Sequence, residues 1–569
     1  MKKGYLRHIL IVISAIVLTR YNSNALTVSI DTTAFVTNQI LSCPTDTSII
    51  IRVVPKKILQ IYFEYGTTPL VFSNQSETET STANVPVKFV LHNLIHNTRY
   101  YYRIRYKATS DSQFTFGDQC TFMTQRSRGN TYVFTITADS HLYDKKGIPS
   151  MMQVTMQNIQ SDDPDFDMEL GDTFGDDRDP PTMTQQQMMQ LHLNYMSYIG
   201  MVCHSAPFFF CLGNHEGESD YYMSQTPPNN LAVWGTLARK YYYSNPSPNG
   251  FYTGDTTSEG YGMGQPENYY AFEWGDALFV MLDVYRYCPS IEASPGTWSW
   301  TLGKQQYDWF KQTLENSSAK YKFVFAHHVR GYGRGADTLA KYFEWGGYEN
   351  NGTTWGFATN RPGWAMPIHQ LMMQNHVNIF FQGHDHLFAV EQLDGLVYQE
   401  CPMPSDSTYM IGYLANADAY TGDKLIGTGH MRVTVTPDSA TVEYVSSYLP
   451  RDTNATHHNG AVAYSYSVKA NITSVAGEKT IPSEFIVEQN YPNPFNPSTV
   501  IRYQLKSSEF VTLKVFDILG KEVEILVNER QTSGLHEIKF NAANLSSGIY
   551  FYQLNANGSV LTKKAVLLK

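Results

Sequence analysis

Cysteine is scarce in this chain, with six among 569 residues. None of the six (Cys43, Cys120, Cys203, Cys211, Cys288, Cys401) stands in a close pair of the kind that grips zinc through sulfur, which excludes a zinc finger. In an oxidising compartment such thiols suit disulfides, and Cys43 and Cys120, near opposite ends of one β-rich stretch, are placed to pair. Cys211, inside an apolar run, reads equally well as a packed free thiol. Positive charge is in deficit too: 42 Lys and Arg against 52 Asp and Glu leave a net charge of −10. That gives no reason to expect nucleic acid as a structural partner, although an acidic surface can surround a metal-rich pocket. No apolar run is long enough to span a membrane. The nearest, Ile9 to Leu18, follows Lys2, Lys3 and Arg7 and precedes Ser23 and Ala25, so residues 1–25 read as a secretory signal peptide. GYGRG at 331–335 lacks the spacing of a dinucleotide fingerprint. A hydrophobic content of 42% argues for folded domains, and the length leaves room for several cores.

Five short apolar runs dominate the middle of the chain, and each ends in Asp, Asn or His. YVFTITA leads into Asp139, Ser140 and His141; Phe166 to Leu170 lead into Gly171 and Asp172; PFFFCL leads into Gly213, Asn214, His215 and Glu216. KFVFA then leads into His327 and His328, and VNIFFQ into Gly383, His384, Asp385 and His386. Runs this short, rich in Val, Ile and Phe and without strict alternation, predict strands buried on both faces. Functional residues of such sheets sit where strands give way to loops, so five polar clusters at five strand ends are expected to converge. Imidazole, carboxylate and amide oxygen without Cys suit Zn, Fe or Mn. Two such ions answer the demands of phosphate-ester hydrolysis, among the slowest of uncatalysed reactions, by neutralising phosphate charge and activating water.

The ordered set DSH, GD, GNHE, HH and GHDH resembles the calcineurin-like metallophosphoesterase superfamily, over roughly residues 26–450. With the domain that precedes it, the chain is most similar to the purple acid phosphatase branch. The resemblance implies Asp139, His141, Asp172 and His386 as ligands of one metal, and Asp172, Asn214, His327 and His384 as ligands of the other, with Asp172 bridging. It implies His215 as a catalytic group that touches the substrate phosphate and protonates the leaving alkoxide. Glu216 and Asp385 are expected to orient ligand imidazoles. Arg330 and Arg334 either hold phosphate oxygens, as arginine forks do, or are solvated loop charges. One departure bears on colour. Purple acid phosphatases place a tyrosine ligand three residues after the bridging aspartate, and here that position is Gly175. His141 takes the vacant place, so a dinuclear site without tyrosinate absorption is expected.

The implied activity is hydrolysis of phosphate monoesters on small phosphorylated substrates by a hydroxide that the two metals generate, with Fe, Mn and Zn all compatible. A phosphodiesterase or nucleotide pyrophosphatase on the same centre is the alternative, and a non-catalytic binding protein a third class. The implied fold is α/β, an αββα two-sheet sandwich over residues 130–450, with helices at Thr184 to Gly200 and Lys304 to Asn316. NYYAFEWGDALFVMLDVY reads as two strands of the second sheet joined by a Trp-Gly-Asp turn. Asp220 to Gln265, rich in Tyr, Gly, Asn and Pro, reads as a long loop region whose aromatics either stack on substrate or pack on one another. Residues 26–126 alternate in short strands such as RYYYRIRYKA and resemble a fibronectin-III-like N-terminal domain. A polar linker is expected at 451–480, with His457 and His458 solvated. In residues 481–569, YPNPFNPST followed by IRYQL resembles the type A sorting domain of the type IX secretion system. That resemblance implies a β-sandwich, the secretion machinery as partner, and passage through the periplasm and outer membrane of a Bacteroidetes-like bacterium. The protein is then secreted or held at the cell surface.

Overall fold

All five apolar runs form strands in the computed structural model: Tyr132–Thr137, Phe166–Glu169, Phe208–Phe210, Tyr321–Phe325 and Ile379–Gln382. The structure describes residues 30–143, 146–174, 183–219, 223, 229–288, 298–330, 333–471, 486–505, 509–531, 534–556 and 558–569. The signal-peptide expectation for residues 1–25 lies outside them, as does Gly175. The first three strands run parallel at the centre of a nine-stranded sheet. The last two run parallel in an eight-stranded sheet, beside Ala277–Met281.

The two sheets share one phenylalanine-rich core. Phe134 meets Phe279 edge-on with centroids 5.1 Å apart, and Phe209 stacks on Phe272 at 4.5 Å. Helices cover both outer faces, which is why the strand sequences do not alternate. Pro149–Ser161 and Gln185–Ile199 lay Met156, Ile159, Tyr195 and Met196 against Phe208 and Phe210. Lys304–Asn316 and Ile368–Gln374 lay Phe310, Leu314 and Leu371 against Val280, Val324 and Phe380. Thr184 starts its helix by a reciprocal capping box with Gln187. The expected hairpin is Tyr270–Trp274 and Ala277–Met281, an antiparallel pair in the second sheet. Its turn holds Gly275 at φ 56°, where a Cβ would lie 2.7 Å from the Tyr132 ring.

Residues 30–126 form a two-layered antiparallel sandwich with its own core around Ile51, Phe63, Tyr102 and Phe122. One layer (Ile40–Ser42, Ile49–Val53, Val87–Leu91) continues the nine-stranded sheet, because Ser42 pairs in parallel with Phe208. The residues up to Asn471 therefore form one compact unit, and Ile472–Lys569 a second. The second unit is a sandwich of three- and four-stranded sheets closed over Ile501, Tyr503, Leu513 and Tyr552. No helix among the described residues is long and apolar enough to cross a membrane.

Three expectations need correction. The polar linker assigned to 451–480 contains the strand Val462–Lys469, which forms the edge of the nine-stranded sheet; Tyr464, Tyr466 and Val468 alternate onto its core. The loop region 220–265 contains the helix Leu231–Tyr242, capped by Asn230 and largely buried. All six cysteines are free thiols: Cys120 Sγ accepts from Gln39 Nε2 at 3.1 Å, while Cys43 Sγ faces Ser244 O at 3.6 Å, so these two look in different directions.

Candidate metal centre

Strand ends supply the site, and main-chain hydrogen bonds lace its loops together. Asp139 N donates to Gly171 O, His141 N to Asp172 O and Gly383 N to His327 O, at 2.9, 3.0 and 2.9 Å. Between the sheets, His384 N donates to Asp139 Oδ2 at 2.7 Å, so both meet at one cluster of polar side chains.

Five of the seven expected ligands adopt left-handed backbone: Asp139 (φ 61°), His141 (43°), Asp172 (56°), His384 (79°) and His386 (61°). Each such residue costs about 1–3 kcal/mol, a strain typical of functional sites. It turns their side chains inward. Glycine allows the close approach. A Cβ on Gly383 would lie 2.5 Å from Asp139 Oδ2, and one on Gly213 would strike the Asp172 main chain and carboxylate and lie 2.7 Å from Glu216 Oε2. Gly213→Ala is therefore expected to destabilise the fold by about 1–3 kcal/mol in thermal melting and to lower metal content. A variant that melts as the parent does and keeps its metal would show that the loop can give way.

Two His/Asp groups result. Asp139, His141 and His386 form one, with His141 Nε2 3.0 Å from His386 Nε2 and His386 Nε2 3.4 Å from Asp139 Oδ1. Asp172, His327 and His384 form the other, with His327 Nε2 3.2 Å from Asp172 Oδ2 and 3.3 Å from His384 Nδ1. Asp172 Oδ2 also lies 3.7 Å from His141 Nε2, so one carboxylate faces both groups. Burial by itself raises the Asp172 carboxyl, but His327 and His215 hold it well below the usual range and keep it ionised. Asp139 Oδ1 and Asn214 Oδ1 are buried acceptors that no donor among the described residues meets in hydrogen-bond geometry. Such orphans are costly unless a cation or another donor meets them. His327 Nδ1 bonds Leu170 O at 2.7 Å, which leaves Nε2 to face the site.

His215 sits at the rim, 7% exposed, with Nε2 3.8 Å from Asp172 Oδ2 and its ring edge-on to His141 at 4.9 Å. Its main-chain N–H donates to Asp172 Oδ1 at 2.8 Å. His141, Asp172 and His215 are close enough to form a third potential metal-holding group. His328 is wholly buried, its ring 4.7 Å from that of His384, a packing neighbour.

Among the described residues neither Glu216 nor Asp385 hydrogen-bonds an imidazole through its carboxylate. Glu216 accepts from the main-chain N–H groups of Gly213, Asp172 and Thr173 at 2.6, 3.0 and 3.0 Å, so it fixes the Asp172 loop instead. Burial, then the Asp172 charge, push its carboxyl up to about 7. Asp385 accepts from Arg334 Nη1, Gly335 N and Tyr420 OH at 2.8, 2.8 and 2.7 Å. Arg334, which also donates to His384 O at 2.7 Å, is engaged in holding this loop. Arg330 is 5% exposed, its guanidinium 5.0 Å from the Phe343 ring centroid.

Sequence reasoning missed Glu400 and Tyr420. Glu400 ends the strand Leu396–Glu400, accepts from Asp385 N at 3.0 Å and Gln382 Nε2 at 2.8 Å, and shares the Tyr420 hydroxyl with Asp385 at 3.0 Å. A carboxylate closing an apolar run was the available signal; nothing marked Tyr420. Tyr420→Phe leaves two buried carboxyls face to face behind His384 and His386. It is expected to cost about 1–3 kcal/mol of stability and weaken metal binding about 10–100-fold, read by melting and metal titration. Unaltered metal affinity would place Tyr420 outside the site's support.

The family model described as calcineurin-like phosphoesterase matches residues 132–388, and that of the secretion system C-terminal sorting domain matches residues 489–568. The fold is similar to the structure of PhoD, at 15% identity and a TM-score of 0.55 over 78% of this chain and 92% of that one. It is also similar to the purple acid phosphatase PPD1 from yellow lupin (Lupinus luteus) seeds, at 13% identity and a TM-score of 0.50 over 76% and 74%. No curated protein matches the chain in sequence. The protein is a metal-dependent phosphoesterase, similar over residues 132–388 to calcineurin-like phosphoesterases, and is exported to the cell surface or beyond by way of its C-terminal sorting domain.

Proposed function

We propose that this protein is an exported phosphomonoesterase working with two metal ions, drawn from Fe, Mn and Zn. The observation that carries the reading is the single Asp172 carboxylate facing both His/Asp groups, with His141 Nε2 at 3.7 Å and His327 Nε2 at 3.2 Å from the same oxygen. Asp139, His141, Asp172 and His386 would hold one ion, and Asp172, Asn214, His327 and His384 the other. The donor set fits: hard oxygen and imidazole nitrogen, no thiolate, and buried orphan acceptors at Asp139 and Asn214. Two ions bound there neutralise phosphate charge and make water nucleophilic near neutral pH.

The chain's own residues do the rest. Glu216 and Asp385 fix the loops so that the ligand side chains stay aimed inward. His215, at the rim beside Asp172, contacts the phosphate and gives a proton to the departing alkoxide. Arg334 clamps the His384 loop through His384 O and the Asp385 carboxylate. The test is hydrolysis of a nitrophenyl phosphate monoester and the matching diester, side by side, by protein loaded with Fe, Mn or Zn. Faster monoester turnover is expected. Dominant diester turnover would replace the reading with a phosphodiesterase on the same residues, and no turnover with two metals bound would point to a binding role.

A further inference from the structure

We propose that the outward face of the N-terminal sandwich, on the strands Leu59–Gly66 and Arg99–Ala108, docks an acidic polysaccharide. Arg103, Arg105 and Lys107 stand on this face at alternate positions of one strand, about 7 Å apart. Aromatic rings interleave them. The Arg103 guanidinium lies between Phe72 and Phe116, 4.6 and 4.5 Å from their centroids, Arg105 lies 5.7 Å from Phe116, and Lys107 lies 4.9 Å from Phe114. Phe116 is 60% exposed. Among the described residues Glu64 is the one carboxylate paired with the three cations, and it serves both arginines, so the row keeps an excess of positive charge.

The domain differs in charge from the chain that carries it. Between residues 30 and 126 nine basic side chains outnumber seven acidic ones, a net +2, against −10 for the whole chain. A sheet face that sets aromatic rings beside regularly spaced cations suits a polymer that offers apolar sugar faces to the rings and one carboxylate per sugar to the cations. Nucleic acid fits less well, because its denser charge meets long-range repulsion from an acidic protein. None of these residues belongs to the metal centre, so the inference stands independently of the reaction.

The test is native electrophoresis of the full chain through gels containing polygalacturonate, neutral dextran or inorganic polyphosphate. Retardation by polygalacturonate alone is expected. Phe116→Ala should weaken it about tenfold, and Phe116→Ala with Lys107→Glu should abolish it, while ester hydrolysis stays as in the parent. Equal retardation by dextran, or equal retardation by polyphosphate, would overturn the proposal. So would unaltered mobility in every gel, or retardation that survives the double substitution.

Discussion

Asp172→Asn is expected to reduce metal content from two ions to one or none, and to lower ester hydrolysis by about 10³-fold or more. The magnitude follows from the several kcal/mol of transition-state stabilisation that metal ions supply, at about 1.4 kcal/mol per factor of ten. Its carboxylate faces both His/Asp groups through one oxygen, so its loss is not confined to one of them. The amide keeps the shape and an oxygen for the His215 main-chain N–H, so the loop survives. Metal analysis and turnover, measured together on protein with parental circular dichroism, check the result. A variant with two tightly held metals and native turnover would remove Asp172 from the centre.

Much of the fold was legible because burial on both faces leaves a mark. Runs such as PFFFCL have no polar side to show, and the structure packs their rings between the sheets and under helices. Edges leave a weaker mark. Val462–Lys469 sits at the rim of its sheet with one face wet, so Ser and Lys dilute its alternation until it reads as linker. Leu231–Tyr242 was hidden by its neighbours: the Gly, Asn and Pro on either side give a loop composition, yet Asn230 starts a helix there. The joint between sandwich and catalytic sheet combines the short parallel pairing of Ser42 with Phe208 and bonds such as Tyr102 OH to His204 O at 2.6 Å, which no local pattern encodes.

Within the site, residue types were legible and their geometry was not. His, Asp and Asn at strand ends announced themselves, but the left-handed turns that aim them did not, since those conformations ordinarily favour glycine. Glu216 shows the same gap. A carboxylate beside ligands suggests an imidazole partner, whereas the tight turn permitted by Gly213 brings three main-chain N–H groups to it first. Arg334, open in the sequence between a phosphate contact and a solvated loop charge, clamps His384 and Asp385, because residues 334 and 335 pack onto the GHDH turn.

His215→Ala separates the chemistry from the scaffold. The bond from residue 215 to Asp172 Oδ1 comes from the main chain, so truncating the imidazole leaves it in place and metal content should stay near that of the parent. Turnover should fall by about 10²–10⁴-fold, the usual worth of a positioned general acid. The size of the loss should depend on the leaving group. A nitrophenolate leaves without a proton, so its ester loses least, whereas an alkyl phosphate, whose alkoxide needs one, loses most. That dependence is what a merely structural histidine would not produce. Equal losses for both esters, with metal content falling in parallel, would instead identify His215 as a support for Asp172 and His141, whose rings and carboxylate it touches at the rim.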